Sequence, residues 1–283
     1  MFVRLLKTVA PAVMLACVFT PLLGAETEEK TVSLSTQDGW ALAAVYRPAS
    51  SQDKTVVLLH DLNKKKEDFS SFKTDLARAG FGYLALDLRG HGQSTGEGEA
   101  KTFSREGVDN QFNKMTRDVD AAMKFLQKKG ITPTETVLLG TGLGANVASK
   151  SASFWPDISA LALISPTTNN RDVLSIPAMR LYKGDVLIAA GAADKKMFLE
   201  ASVLRNVSFL SAGEGKVTFL TAYDLTSHQM LDKYLRPALI QWLKTPHKPE
   251  VLPDPKLTPD PIPSDGALVA PSQSEEALVP SVL

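Results

Sequence analysis

The chain has 283 residues, 44% hydrophobic and 22% charged, with Lys+Arg and Asp+Glu equal at 31 each. That length and apolar content suit one large core of the open α/β kind, and the zero net charge offers neither a basic face for nucleic acid nor a like-charge tail. The single cysteine, Cys17, lies in the N-terminal apolar stretch, which leaves a processed chain without a disulfide, a cysteine nucleophile or a cysteine metal ligand.

The chain opens on a leader pattern. Arg4 and Lys7 precede an apolar run over residues 8–24, broken by Pro11 and Pro21, and residues 26–30 turn polar. This reads as a secretory signal cleaved after Ala25, short and interrupted for a membrane span. An uncleaved anchor helix is the alternative. Met14-Leu15-Ala16-Cys17 resembles a lipoprotein box and leaves a lipid anchor at Cys17 as another, although Val18-Phe19 stand where a polar tether belongs. The expectation is a bacterial protein exported to the periplasm or beyond, with no membrane span after cleavage.

Residues 26–244 then alternate between strand and helix patterns. Residues 31–49 alternate in polarity around Asp38-Gly39, predicting an antiparallel hairpin. Residues 55–60 form an unbroken apolar run, as expected of a strand buried on both faces. Phe69, Phe72, Leu76 and Ala77 recur at helical spacing up to Gly80. A strand is predicted over residues 83–88, and a long amphipathic helix from Met115 to the stop at Gly130. Strands follow at 136–139, 160–164, 185–190 and 217–220, and residues 230–243 predict a terminal helix. The fold class is therefore α/β: a mostly parallel central sheet opened by an antiparallel hairpin, with helices on both faces. Residues 96–111 read as a surface loop. From residue 245 the chain is proline-rich and lacks aromatic residues, so 245–283 predict a disordered, semi-extended tail.

In such sheets the loops at the carboxyl ends of the strands carry function. The turn Gly140-Thr141-Gly142-Leu143-Gly144 has the frame of the nucleophile elbow G-x-S-x-G between strand and helix. Its centre is Gly142, which has no hydroxyl to attack a carbonyl. The same glycines do not make a dinucleotide loop, because the G-x-G-x-x-G spacing and an acidic partner on the next strand are missing. No metal-ligand spacing occurs, and no cofactor is expected.

The segment 56–94, with its His60-Asp61 pair and its Asp87-Leu88-Arg89-Gly90-His91-Gly92 run, resembles the serine hydrolases of the α/β-hydrolase superfamily. It is most similar to the esterase, monoacylglycerol-lipase-like and serine-aminopeptidase-like branches, and the likeness extends over residues 31–244. The resemblance implies an oxyanion hole from the backbone N–H groups of Leu62 and Leu143. It implies an acid at Asp194, after the strand ending at residue 190, and a histidine at His228, after the last strand. The order nucleophile, acid, histidine is kept as Gly142, Asp194, His228. Asp61 departs from the glycine usual in the oxyanion loop. The lid region, residues 167–182, is short, implying a small cap and an open site.

Several residues also have plainer roles. Asp194 is placed to cap the next helix, and Ser149, Ser151 and Ser153 fall along the helix after the elbow as packing or surface groups. His60 and His91 fit as local supports of their loops, and His247 as a solvated residue at the start of the tail. The reading that follows is a hydrolase fold without ordinary serine-hydrolase turnover, keeping a pocket for a small acyl-type ligand or an envelope protein. Two alternatives stay open. One is weak ester or amide hydrolysis by Thr141, or by water activated by Asp194 and His228. The other is a scaffold that presents the proline-rich tail.

Overall fold

The structure, a computed structural model, describes residues 28–226 and 229–246. The N-terminal segment read as a leader, Cys17, His228, His247 and nearly all of the proline-rich segment lie outside the described residues.

The hairpin signal at Asp38-Gly39 joins β1 (Lys30–Ser35) to β2 (Ala41–Arg47), and the strands pair antiparallel. β2 also pairs antiparallel with β4 (Gly82–Leu86). From β4 the sheet is parallel through β3 (Thr55–Leu59), β5 (Thr136–Thr141), β6 (Ala160–Ile164), β9 (Asp185–Gly191) and β10 (Val217–Ala222). The eight strands run β1-β2-β4-β3-β5-β6-β9-β10 across the sheet. β7 (Asn169–Asn170) and β8 (Val173–Leu174) form a separate two-stranded hairpin.

Alternation along the central strands divides the core into two layers, as a pleated strand buried on both faces requires. Val57 and Leu59 face α2 (Gln111–Lys128), α3 (Leu143–Ser151) and α5 (Lys195–Ala212), with Met115, Val119, Val147 and Leu204 in the same layer. Val56 and Leu58 face the other layer, with Phe72 and Leu76 of α1 (Ser70–Arg78) and Leu239 and Trp242 of α6 (Arg236–Lys244). Each such side chain, fully removed from water, contributes about 1.5–3 kcal/mol before entropy is counted. A short α4 (Ile176–Met179) follows the β7–β8 hairpin, so residues 167–182, where a small cap was expected, hold that hairpin and one helical turn, and none of them lines the cavity at Gly142.

The terminal helix differs from the expected regular one. Residues Leu231–Leu235 form a π-helical turn before α6 begins. Pro237 accounts for it: without an N–H it cannot bond the carbonyl four residues back, and its ring would press on that carbonyl, so the turn widens.

Candidate active site

Gly142 joins β5 to α3 with φ 51° and ψ −117°. A residue with a side chain is strained there by about 1–3 kcal/mol, and glycine is not. Backbone packing sets the two flanking glycines. A Cβ on Gly140 would overlap the backbone of Gly144, and one on Gly144 would overlap the Leu59 carbonyl at the end of β3. The Gly142 N–H donates to the Ile164 carbonyl at 2.9 Å, fixing the turn against β6. The elbow frame is thus built, with no side chain at its centre.

The two N–H groups assigned to an oxyanion hole converge on one oxygen. Leu62 N and Leu143 N each donate to Asp61 Oδ1, both at 2.7 Å. Leu143 opens α3, where the helix dipole favours a negative charge. A Cβ on Gly142 would overlap the same Asp61 carboxylate. The departure from glycine at position 61 therefore places a carboxylate over the elbow centre, within reach of both backbone donors.

Two histidines brace this loop. His60 is 1% exposed, its Nδ1–H donating to the Asp61 carbonyl at 2.8 Å and its Nε2 accepting from Leu88 N at 3.0 Å. That pair of bonds fixes the neutral tautomer, and burial lowers its pKa to about 4. His91 packs edge-on at 5.0 Å, and its Nδ1–H donates to the Arg89 carbonyl at 3.0 Å. Burial lowers its pKa too. Both are the local supports expected.

The run from Asp87 to Gly92 is held by buried charge. Asp87 accepts from Lys66 N at 2.8 Å, Lys66 Nζ at 2.6 Å and Gln93 N at 2.9 Å. Burial works against its charge, but these donors outweigh it and hold its pKa below the ordinary value. Arg89 Nε donates to Asp118 Oδ1 at 2.8 Å, and its Nη1 to Asp38 Oδ2 at 2.8 Å. Lys66, Asp118 and Asp38 lie far from this motif in sequence, and nothing in their spacing announced the pairing.

Gly142 and Thr141 line a cavity of about 110 Å³ with His60, Asp61, Lys64 and Leu231. Asp194 is the N-cap of α5, its Oδ1 accepting from Met197 N at 3.2 Å. Its expected partner His228 is outside the described residues. Ser149 is buried with its Oγ on the Asn146 carbonyl, Ser151 is buried, and Ser153 lies just beyond α3. Asn146 ties the elbow helix to the β7–β8 hairpin and the residues just before it. Its Nδ2 donates to the carbonyls of Thr167 at 2.8 Å and Val173 at 2.9 Å, and its Oδ1 accepts from Thr167 N at 3.0 Å. Among the described residues no group of three or more His, Cys, Asp or Glu could hold a metal ion, and no helix is long and apolar enough to cross a membrane.

A family model described as serine aminopeptidase, S33, matches residues 50–216, more than half of the chain. The chain belongs to the serine aminopeptidase S33 family. The matched region holds the elbow, the Asp61 loop and Asp194 and ends before His228. No curated protein matches the sequence. Among solved structures, the Pyrococcus furiosus esterase Pf2001 is similar with a TM-score of 0.63 and 18% identity, over 77% of this chain and 92% of that one. A dienelactone hydrolase from Anabaena variabilis is similar at 0.62 and 15%, over 76% and 94%. An esterase from Exiguobacterium antarcticum is similar at 0.60 and 15%, over 76% and 100%. Likenesses at this level of identity establish the α/β fold alone, and the family match makes this a hydrolase-like α/β protein.

Proposed function

We propose that this S33-family chain has lost ordinary serine-hydrolase turnover and keeps its pocket for binding a small ligand or a protein partner. The observation that carries this reading is Gly142 at the elbow centre. An acyl-transfer nucleophile has to project from that point toward the oxyanion donors, and glycine projects nothing. The leader pattern supports a site of action outside the cytoplasm. The purified protein is tested with short-chain nitrophenyl esters. The expected rate equals that of buffer, and a rate of the ordinary esterase range overturns the proposal.

One observation favours a second reading, weak hydrolysis through Thr141, which lines the same cavity as Gly142. Under it, residual ester cleavage disappears in Thr141→Val. An unchanged rate in that variant removes Thr141 from consideration.

A further inference from the structure

We propose that Asp61 is the resident ligand of the oxyanion pocket and determines its specificity: its carboxylate occupies, from the neighbouring loop, the place of an acyl oxygen and of the missing nucleophile. The inference rests on the reading above, that serine chemistry is gone, and narrows what the pocket can take.

The geometry is that of a bound carboxylate. Asp61 Oδ1 accepts from Leu62 N and Leu143 N at 2.7 Å each, within the short range of charge-assisted hydrogen bonds. An incoming ester carbonyl, oxyanion or carboxylate needs the same two donors and would approach an existing negative charge. Hydrogen bonds to a charged group are stronger than neutral ones, so an outside acyl group competes against two of them supplied intramolecularly.

Gly142 and Asp61 are complementary. A side chain at position 142 would overlap the Asp61 carboxylate, and glycine in the oxyanion loop would leave both N–H donors open. Replacing the nucleophile by glycine makes room for the carboxylate, and the carboxylate satisfies the donors. The pocket therefore excludes the small acyl-type ligand that the fold alone suggests, and Asp61 enforces the exclusion.

The test uses acetate as the probe, titrated as the 13C-labelled ion into the full chain at neutral pH and followed by line broadening. The unaltered protein is expected to show no saturable binding. Asp61→Gly is expected to bind acetate saturably and at least about tenfold more tightly, the acetate oxygen accepting from the two freed N–H groups. Asp61→Ala serves as a second opened variant if glycine destabilises the loop. Equal acetate binding by the unaltered protein and a folded opened variant overturns the proposal, and so does absence of binding in both. Ester turnover by the unaltered chain would instead contradict the loss of serine chemistry, whatever acetate does.

Discussion

The carboxylate of Asp61 and the bare α-carbon of Gly142 occupy complementary space: a Cβ at Gly142 would overlap the Asp61 side chain. The two residues lie on different loops, after β3 and β5, yet each limits what the other can be.

Their coupling is measurable as stability. Gly142→Ala combines the strain of a side chain at φ 51° with overlap on Asp61, and is expected to cost about 1–3 kcal/mol or somewhat more by urea denaturation. In an Asp61→Gly background only the strain is left. The double-mutant cycle should therefore show a coupling of at least about 0.5 kcal/mol, as residues in contact do. Strict additivity would contradict the contact.

Arg89 is buried between Asp118, fully buried, and the partly exposed Asp38. Burial opposes its charge, but the two carboxylates outweigh it and raise its pKa. Arg89→Met removes the cation and leaves Asp118 uncompensated in the core. Breaking such a pair costs about 3–5 kcal/mol, and denaturation at neutral pH should show a loss of that size.

At Asp194 the capping oxygen can be separated from the carboxylate charge. Its Oδ1 satisfies Met197 N, so Asp194→Ala is expected to cost about 1 kcal/mol, while Asp194→Asn, also a good cap, should cost much less. Equal losses in thermal or urea denaturation would show that the carboxylate charge matters beyond the cap.

His60 gives the pH dependence. Its folded pKa is lowered to about 4, against an ordinary value near 6.5 in an unfolded chain. Below about pH 6.5 the unfolded chain takes up a proton that the folded His60 refuses. Stability therefore falls as pH drops from about 6.5 to about 4 and loses no more to this group below that. His91, lowered by burial, acts in the same direction. The ring resonances of His60 should still report a neutral imidazole at pH 5.5, and a protonated ring there would contradict the paired, buried geometry.

Much of this architecture was legible in the sequence because its signals are local. The unbroken apolar run over 55–60 and the alternation around Asp38-Gly39 each specify a strand environment directly. The elbow was legible for the same reason: Gly140 and Gly144 are required by backbone packing, whatever stands between them. The π-turn at Leu231–Leu235 was hidden, since Pro237 looks acceptable near a helix start and its effect falls on the preceding turn. The Arg89–Asp118–Asp38 cluster was hidden because ion pairing across the fold leaves no spacing rule. Asp61 was visible only as a departure from glycine. That its side chain turns onto Leu62 N and Leu143 N follows from the positions of two loops, which local sequence does not encode.

If no nucleophile serves this elbow, a fluorophosphonate finds no residue there to phosphonylate. Intact-mass analysis of the purified full chain after incubation with a fluorophosphonate tests it most directly. The unmodified mass is expected after prolonged exposure, with a serine hydrolase labelled in parallel as the positive control. A stoichiometric phosphonyl adduct, mapped to Thr141 or to any other residue lining the Gly142 cavity, would contradict it.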